Sequence, residues 1–223
     1  MIAYVLIAFS LTNCNKDVNW DDEQTVSFSS SSDIDQIIEI SEDQLKINKL
    51  NLEVSSIEVF GKRLQSSDIT YFDESPMSFI FNENTAEQIY DLNIPIGTYE
   101  SLVFKINFDT SNSGFIIGEV DNEFSPEHNQ HMEVPLEIEN TIELTVLNEE
   151  NEPLILVNES LKSFELNFKV QTLFESVKPS LWNILLQANQ GQLEIDLTTL
   201  VGAEFINEVN EEIELSFSLK AIR

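Results

Sequence analysis

Apolar residues recur at every second position along most of this chain, and that period limits the available folds more than any other feature. Leu102, Phe104, Ile106 and Phe108 form the cleanest run. Met132, Val134, Leu136 and Ile138 repeat it, as do Ile142, Leu144 and Val146, and then Phe164, Leu166, Phe168 and Val170. Successive side chains of a strand point to opposite faces, so each run gives a strand with one dry face. Lys105, Asn107, Glu133, Glu137, Glu143, Glu165 and Asn167 occupy the other parity. Shorter sets are Val26 with Phe28, Leu45 with Ile47, Leu50 with Leu52 and Val54, Ile57 with Val59, Phe79 with Phe81, and Phe115 with Ile117. Leu193, Ile195 and Leu197 form another, and Ile213, Leu215, Phe217 and Leu219 the last. The parity slips near Asn48 and at Ser55–Ser56, which predicts bulges there. The pattern predicts an all-β chain whose antiparallel sheets pack as a β-sandwich, with Phe104, Phe108, Leu136, Phe168 and Phe217 in its core.

Helical character is confined to three short segments. Gln171–Val177 has room for two turns before Pro179; Ser180 is placed to cap a segment carrying Leu181, Trp182, Leu185 and Leu186; and Ala203–Asn210 sets Phe205 and Val209 on one side. One or two short helices are expected from these. Strands do not alternate with helices, so the parallel α/β folds that bind nucleotides are excluded on architecture.

The N-terminus carries a different signal. Ile2 to Leu11 is an apolar run too short to span a bilayer, which needs about 20 residues, but of the length of a signal-peptide core. It runs into Leu11-Thr12-Asn13-Cys14, which resembles the lipobox of bacterial lipoproteins. There the cysteine thiol receives a diacylglycerol group and the chain is cut just before it. Cys14 is the single cysteine, so it has no partner for an internal disulfide. Two departures from the pattern are Asn13, where a small residue is usual, and the lack of basic residues ahead of the apolar run; the latter leads us to expect a translation start farther upstream. The expected organisation is a signal peptide over 1–13, a lipidated Cys14 with a flexible acidic tether over 14–24, and a β-sandwich domain over 25–223. The polar Asn15–Glu23 stretch is similar to the segment that favours surface display in Bacteroidota-type lipoproteins. The resemblance implies a cell-envelope, outer-membrane location on the exposed face, with the membrane as a partner through the lipid at Cys14.

Charge narrows the remaining partners. Eleven Lys and Arg stand against 40 Asp and Glu, a formal net of −29. A nucleic-acid ligand needs a basic face to displace phosphate counterions, so nucleic acid is excluded. A protein or a glycan remains as a partner class.

Asn93-Ile94-Pro95-Ile96-Gly97-Thr98-Tyr99 leads directly into the Leu102–Phe108 strand. Pro restricts φ, Gly97 permits positive φ, and Tyr99 opens the strand. This Pro-x-Gly-x-Tyr turn, with Leu50–Val59 upstream, resembles a family of uncharacterised bacterial lipoproteins with a transthyretin-like (prealbumin-like) sandwich domain, a relative of immunoglobulin-like architectures. The resemblance spans residues 45–120. It implies a fold and carries over no functional residues.

Reactive constellations are sparse. His128 and His131 are the two histidines, spaced His-x-x-His beside Glu127 and Glu133. With Asp121 and Glu123 they are the weak candidates for Zn²⁺, Cu²⁺ or Ca²⁺, although they lack the helical His-Glu-x-x-His arrangement. Asp33–Asp35, Asp21–Glu23 and Asp121–Glu123 lack the glycine and distal glutamate of a calcium loop. No Gly-x-Ser-x-Gly elbow is present, and Gly97, Gly114, Gly118 and Gly191 form no phosphate cradle. Trp20 falls in the tether and Trp182 in an apolar run suited to the core. The sequence therefore points to a non-catalytic, cofactor-free binding or scaffolding module. The alternatives are a glycan-binding accessory lipoprotein, which would want an exposed Trp or Tyr platform, and a pilin-like subunit with detachable terminal strands.

Overall fold

Alternation turns into strand through most of the chain. The computed structural model describes residues 22–32, 34, 37–40, 43–82, 88–109, 113–121, 129–138, 141–189 and 194–223. In chain order they form β1 (Glu23–Ser32), β2 (Ile37–Ile40), β3 (Asp43–Arg63), β4 (Ile69–Asp73), β5 (Met77–Asn82), β6 (Gln88–Pro95) and β7 (Gly97–Phe108). β8 (Gly114–Asp121), β9 (Asn129–Leu136), β10 (Ile142–Leu147), β11 (Ile155–Val157) and β12 (Ser163–Phe168) follow. Helices α1 (Val170–Phe174), α2 (Pro179–Ala188) and α3 (Leu200–Glu212) precede the last strand, β13 (Phe217–Ile222).

β3 organises the rest. On one edge its C-terminal half pairs with β7 (Val54 opposite Phe108, Arg63 opposite Tyr99) and its N-terminal half with β8 (Leu52 opposite Gly114, Gln44 opposite Asp121). On its other edge lie β4, β5 and β2 in turn. Both flanking lines of strand are interrupted at the same level, beside Glu53–Ser56. At one break the Glu53 N–H donates to the Ser113 carbonyl (2.9 Å) and the Asp109 N–H to the Glu53 carbonyl (3.3 Å). The fully buried Ser113 hydroxyl accepts from the Ile138 N–H at 2.9 Å and donates to the Asp109 carbonyl at 3.1 Å. At the other break the Asp73 carboxylate accepts the Ser75 N–H (2.8 Å) just ahead of Pro76. The register shifts at Ile47/Lys49 and Val54/Ser56 are the bulges expected near Asn48 and Ser55–Ser56. Gly114 holds φ +139° where a Cβ would stand 2.0 Å from the Asn51 carbonyl oxygen, so β8 can start against β3 only with glycine.

From β3 the sheet continues in the order β6-β1-β12-β13-β10-β7-β3-β8-β9. It is mixed rather than antiparallel throughout, because β1 pairs parallel with β12 and β10 parallel with β13. The sheet curls so that β1 and β12 face β5 and β7 across an aromatic core. Ring centroids lie 5.7 Å apart for Phe28–Phe79, 5.5 Å for Phe28–Phe104, 5.4 Å for Phe104–Phe164 and 5.7 Å for Phe81–Phe168. Phe104, Phe108, Leu136, Phe168 and Phe217 are all buried, as their parity requires. The free edges of the curl meet through side chains: the Tyr90 hydroxyl on β6 donates to the Asp73 carboxylate on β4, and Tyr71 and Tyr90 share a hydrogen bond of 2.9 Å.

Several expectations are corrected. Among the described residues three α-helices form rather than one or two. On β8 the buried side is Gly114, Ile116, Gly118 and Val120, so Phe115 and Ile117 face outward and Lys49 sits 5.4 Å over the Phe115 ring. Ile195 and Leu197 are buried but join no strand; Leu193 lies outside the described residues. Leu215 is 70% exposed on a short 3-10 turn, because β13 starts only at Phe217. Glu23 and Gln24, read as tether, pair with Pro95 and Ile94.

The Pro95–Tyr99 turn has a specific physical basis. Gly97 has φ +154°, and the Tyr99 hydroxyl reaches back to the Pro95 carbonyl at 2.7 Å. Burial pushes the Tyr99 phenol up to about 12, so it stays protonated and donating at neutral pH. Its ring fills the space above Gly61, where a Cβ would come within 2.5 Å of Tyr99 Cε1. An aromatic laid over a strand glycine covers backbone that would otherwise be bare. Gly61→Ala should therefore destabilise the protein, and Tyr99→Leu should cost less in the Gly61→Ala background than in the wild type. A double-mutant cycle by denaturant unfolding checks this; a coupling of about 1 kcal/mol or more is expected for residues in direct contact.

Candidate functional site

The proposed lipidation residue Cys14 lies outside the described residues, as do Trp20, Asp33, Asp35, Glu123 and His128. Asp121 and His131 are exposed, at the end of β8 and on β9. His131 stands opposite Glu119 on β8 and makes a lone parallel bridge to Glu194. Even so, among the described residues no three His, Cys, Asp or Glu side chains come together as metal ligands. Trp182 is fully buried against Phe205 at 5.5 Å, as its apolar surroundings predict.

Two polar clusters are built into the fold. In the first, the hydrogen bond from Tyr90, then the Ser75 backbone N–H, hold the Asp73 carboxyl below its ordinary value. Burial, then the bond to Asp73, push the Tyr90 phenol upward. Both donors are already engaged, so the cluster acts as a clasp between β4 and β6. In the second, Glu208 of α3 is 8% exposed and its carboxylate accepts the Lys178 backbone N–H at 3.1 Å and the Lys178 ammonium. Lys178, not Ser180, is the N-cap of α2 and offers no side-chain cap, so the Glu208 carboxylate of α3 takes the capping role expected of the Ser180 hydroxyl. Burial raises the Glu208 carboxyl, but the bonds from Lys178 outweigh it and the net shift is downward.

A groove of about 440 Å³ lies between β2 and the α1–α2 connection. Ile38, Ile40, Phe174, Val177 and Pro179 give it a hydrocarbon lining, and Glu39 and Glu175 add carboxylates. Ile37, at its mouth, is 57% exposed. β2 pairs with β3 on one edge, and among the described residues no strand pairs with the other. Sequence reading missed this site: β2 is four residues long, and the α1–α2 residues that complete the groove lie far away along the chain. A second depression of about 480 Å³, beside β9, is less open to pairing. There Pro135 has no N–H and the His131 carbonyl already accepts from Ile195 at 3.0 Å.

A lowered folded-state pKa means that Glu208 stabilises the fold above its unfolded pKa and that this contribution fades as pH falls through the folded value. Glu208→Gln should lose about 1–2 kcal/mol at pH 7, the range for a partly buried charge at a helix terminus. The deficit should shrink on acidification. Urea unfolding at pH 7 and pH 3 measures both.

Comparison with protein-family models, with curated proteins and with solved structures finds no match to this chain.

Proposed function

We propose that this chain is an envelope-anchored lipoprotein whose β-rich domain is a non-catalytic binding module, held to the membrane by acyl chains on Cys14. The observation that carries the reading is the apolar Ile2–Leu11 run ending in Leu11-Thr12-Asn13-Cys14, with β1 starting at Glu23, a few residues later. Acyl chains anchor without spanning. No helix among the described residues is long and apolar enough to cross a membrane. The mixed, curled sheet is a sandwich in this reading, with two walls meeting at the Phe28–Phe79 and Phe104–Phe164 contacts, and the resemblance of its Pro95–Tyr99 turn supports a transthyretin type. The Asn15–Glu23 stretch favours display on the outer face of the outer membrane.

The rival readings draw less support. A glycan platform wants exposed Trp or Tyr, whereas among the described residues Trp182 and Tyr99 are buried and the Tyr71 and Tyr90 hydroxyls are tied to Asp73. A pilin-like subunit wants a detachable end strand, whereas β1 and β13 each pair with neighbours on both sides.

Expressed from its native start in a bacterial host, the protein should incorporate an alkyne-tagged fatty acid and sediment with membranes, and Cys14→Ala should abolish both. Mass spectrometry showing a free thiol at Cys14 in the mature native protein would contradict the anchor.

A further inference from the structure

β2 offers two recognition elements side by side. One is a strand edge with which no strand pairs among the described residues. Every second residue of a strand turns its N–H and C=O away from a given neighbour. The hairpin closes on Ile40 opposite Asp43, a two-residue connection, so the outward-facing residues are Ile37 and Glu39. The other element is the apolar groove alongside, floored by Ile38, Ile40, Phe174 and Val177. Unpaired edges are usually blunted by proline, lysine or a covering loop. Ile37-Ile38-Glu39-Ile40 contains neither proline nor lysine.

Charge selects the occupant. Glu39 and Glu175 border the groove, and neither carboxylate is engaged by a basic side chain among the described residues. The nearby Lys178 ammonium is committed to Glu208. A second copy of this chain would bring a formal charge of −29 to the same edge and be repelled. A cationic strand would be attracted, would pair with the Ile37 and Glu39 backbone, and would set its apolar side chains in the groove.

We propose that the β2 edge and its groove bind an extended segment of a partner protein in which apolar residues alternate with Lys or Arg, by adding a strand to β2. The inference rests on the reading of the chain as a binding module and names the partner chemistry of that site.

The probe is the synthetic peptide acetyl-Lys-Val-Lys-Val-Lys-Val-Lys-amide, titrated into the ¹⁵N-labelled full chain at physiological salt. Saturable binding is expected, with slowed hydrogen exchange at the Ile37 and Glu39 amides. The double variant Glu39→Lys, Glu175→Lys should bind about tenfold more weakly or worse. The same peptide N-methylated at alternate amides keeps its charge but cannot pair, and should lose the protection at Ile37 and Glu39. That comparison uses the wild-type protein and so decides the matter even if the variant fails to fold. Non-saturating shifts spread over the acidic surface, unchanged exchange at Ile37 and Glu39, or equal binding of the N-methylated peptide would overturn the proposal. So would self-association through β2 in the absence of peptide. None of these readouts depends on lipid at Cys14, so failure here is separable from failure of the anchor.

Discussion

Drawn straight, the 21 residues of β3 would extend about 70 Å at 3.3 Å per residue. A domain of this size has a radius of gyration of about 17 Å. The strand must therefore bend, and a bend breaks backbone pairing on both of its edges. The protein interrupts both edges at one shared level, beside Glu53–Ser56, and fills each of those two breaks with local hydrogen bonds: Ser113 on one edge, Asp73 with Ser75 on the other. Buried backbone groups left unpaired there would cost about 1–3 kcal/mol each. With those groups satisfied, one strand serves two walls, and the Phe28, Phe79, Phe104 and Phe164 rings can meet between them.

The strand content was legible because burial on one face imposes a period of two, and the bulges because a slip in that period has no other cheap explanation. The failures are equally physical. On β8 the inward parity is carried partly by Gly114 and Gly118, which have no side chain to mark it, so Phe115 and Ile117 drew the assignment to the wrong face. Ile195 and Leu197 alternate like a strand, but alternation reports burial and not a backbone partner. The parallel pairs β1–β12 and β10–β13 were invisible, since neighbours far apart in sequence leave no local mark.

The candidate site was less legible than the fold. The lipobox-like run is local and can be read directly. The groove is assembled from Ile37–Ile40 and residues around Phe174–Pro179, and no local pattern links them. Glu208 is a similar case: one acidic residue among 40, singled out only once α3 is seen to deliver it to the start of α2. In so acidic a chain, composition hides the few carboxylates with a structural task.

If β3 is the shared spine of both walls, its two halves must open together. Native-state hydrogen exchange across a urea series tests this most directly, through the amides of Leu45–Leu52 and of Ile57–Gly61. The account predicts that the ladder-bonded amides of both halves exchange only by global unfolding, with one common free energy and one urea dependence. Distinct opening free energies for the two halves, with the Leu45–Leu52 set exchanging while the Ile57–Gly61 set stays protected or the reverse, would show two separate units and contradict it.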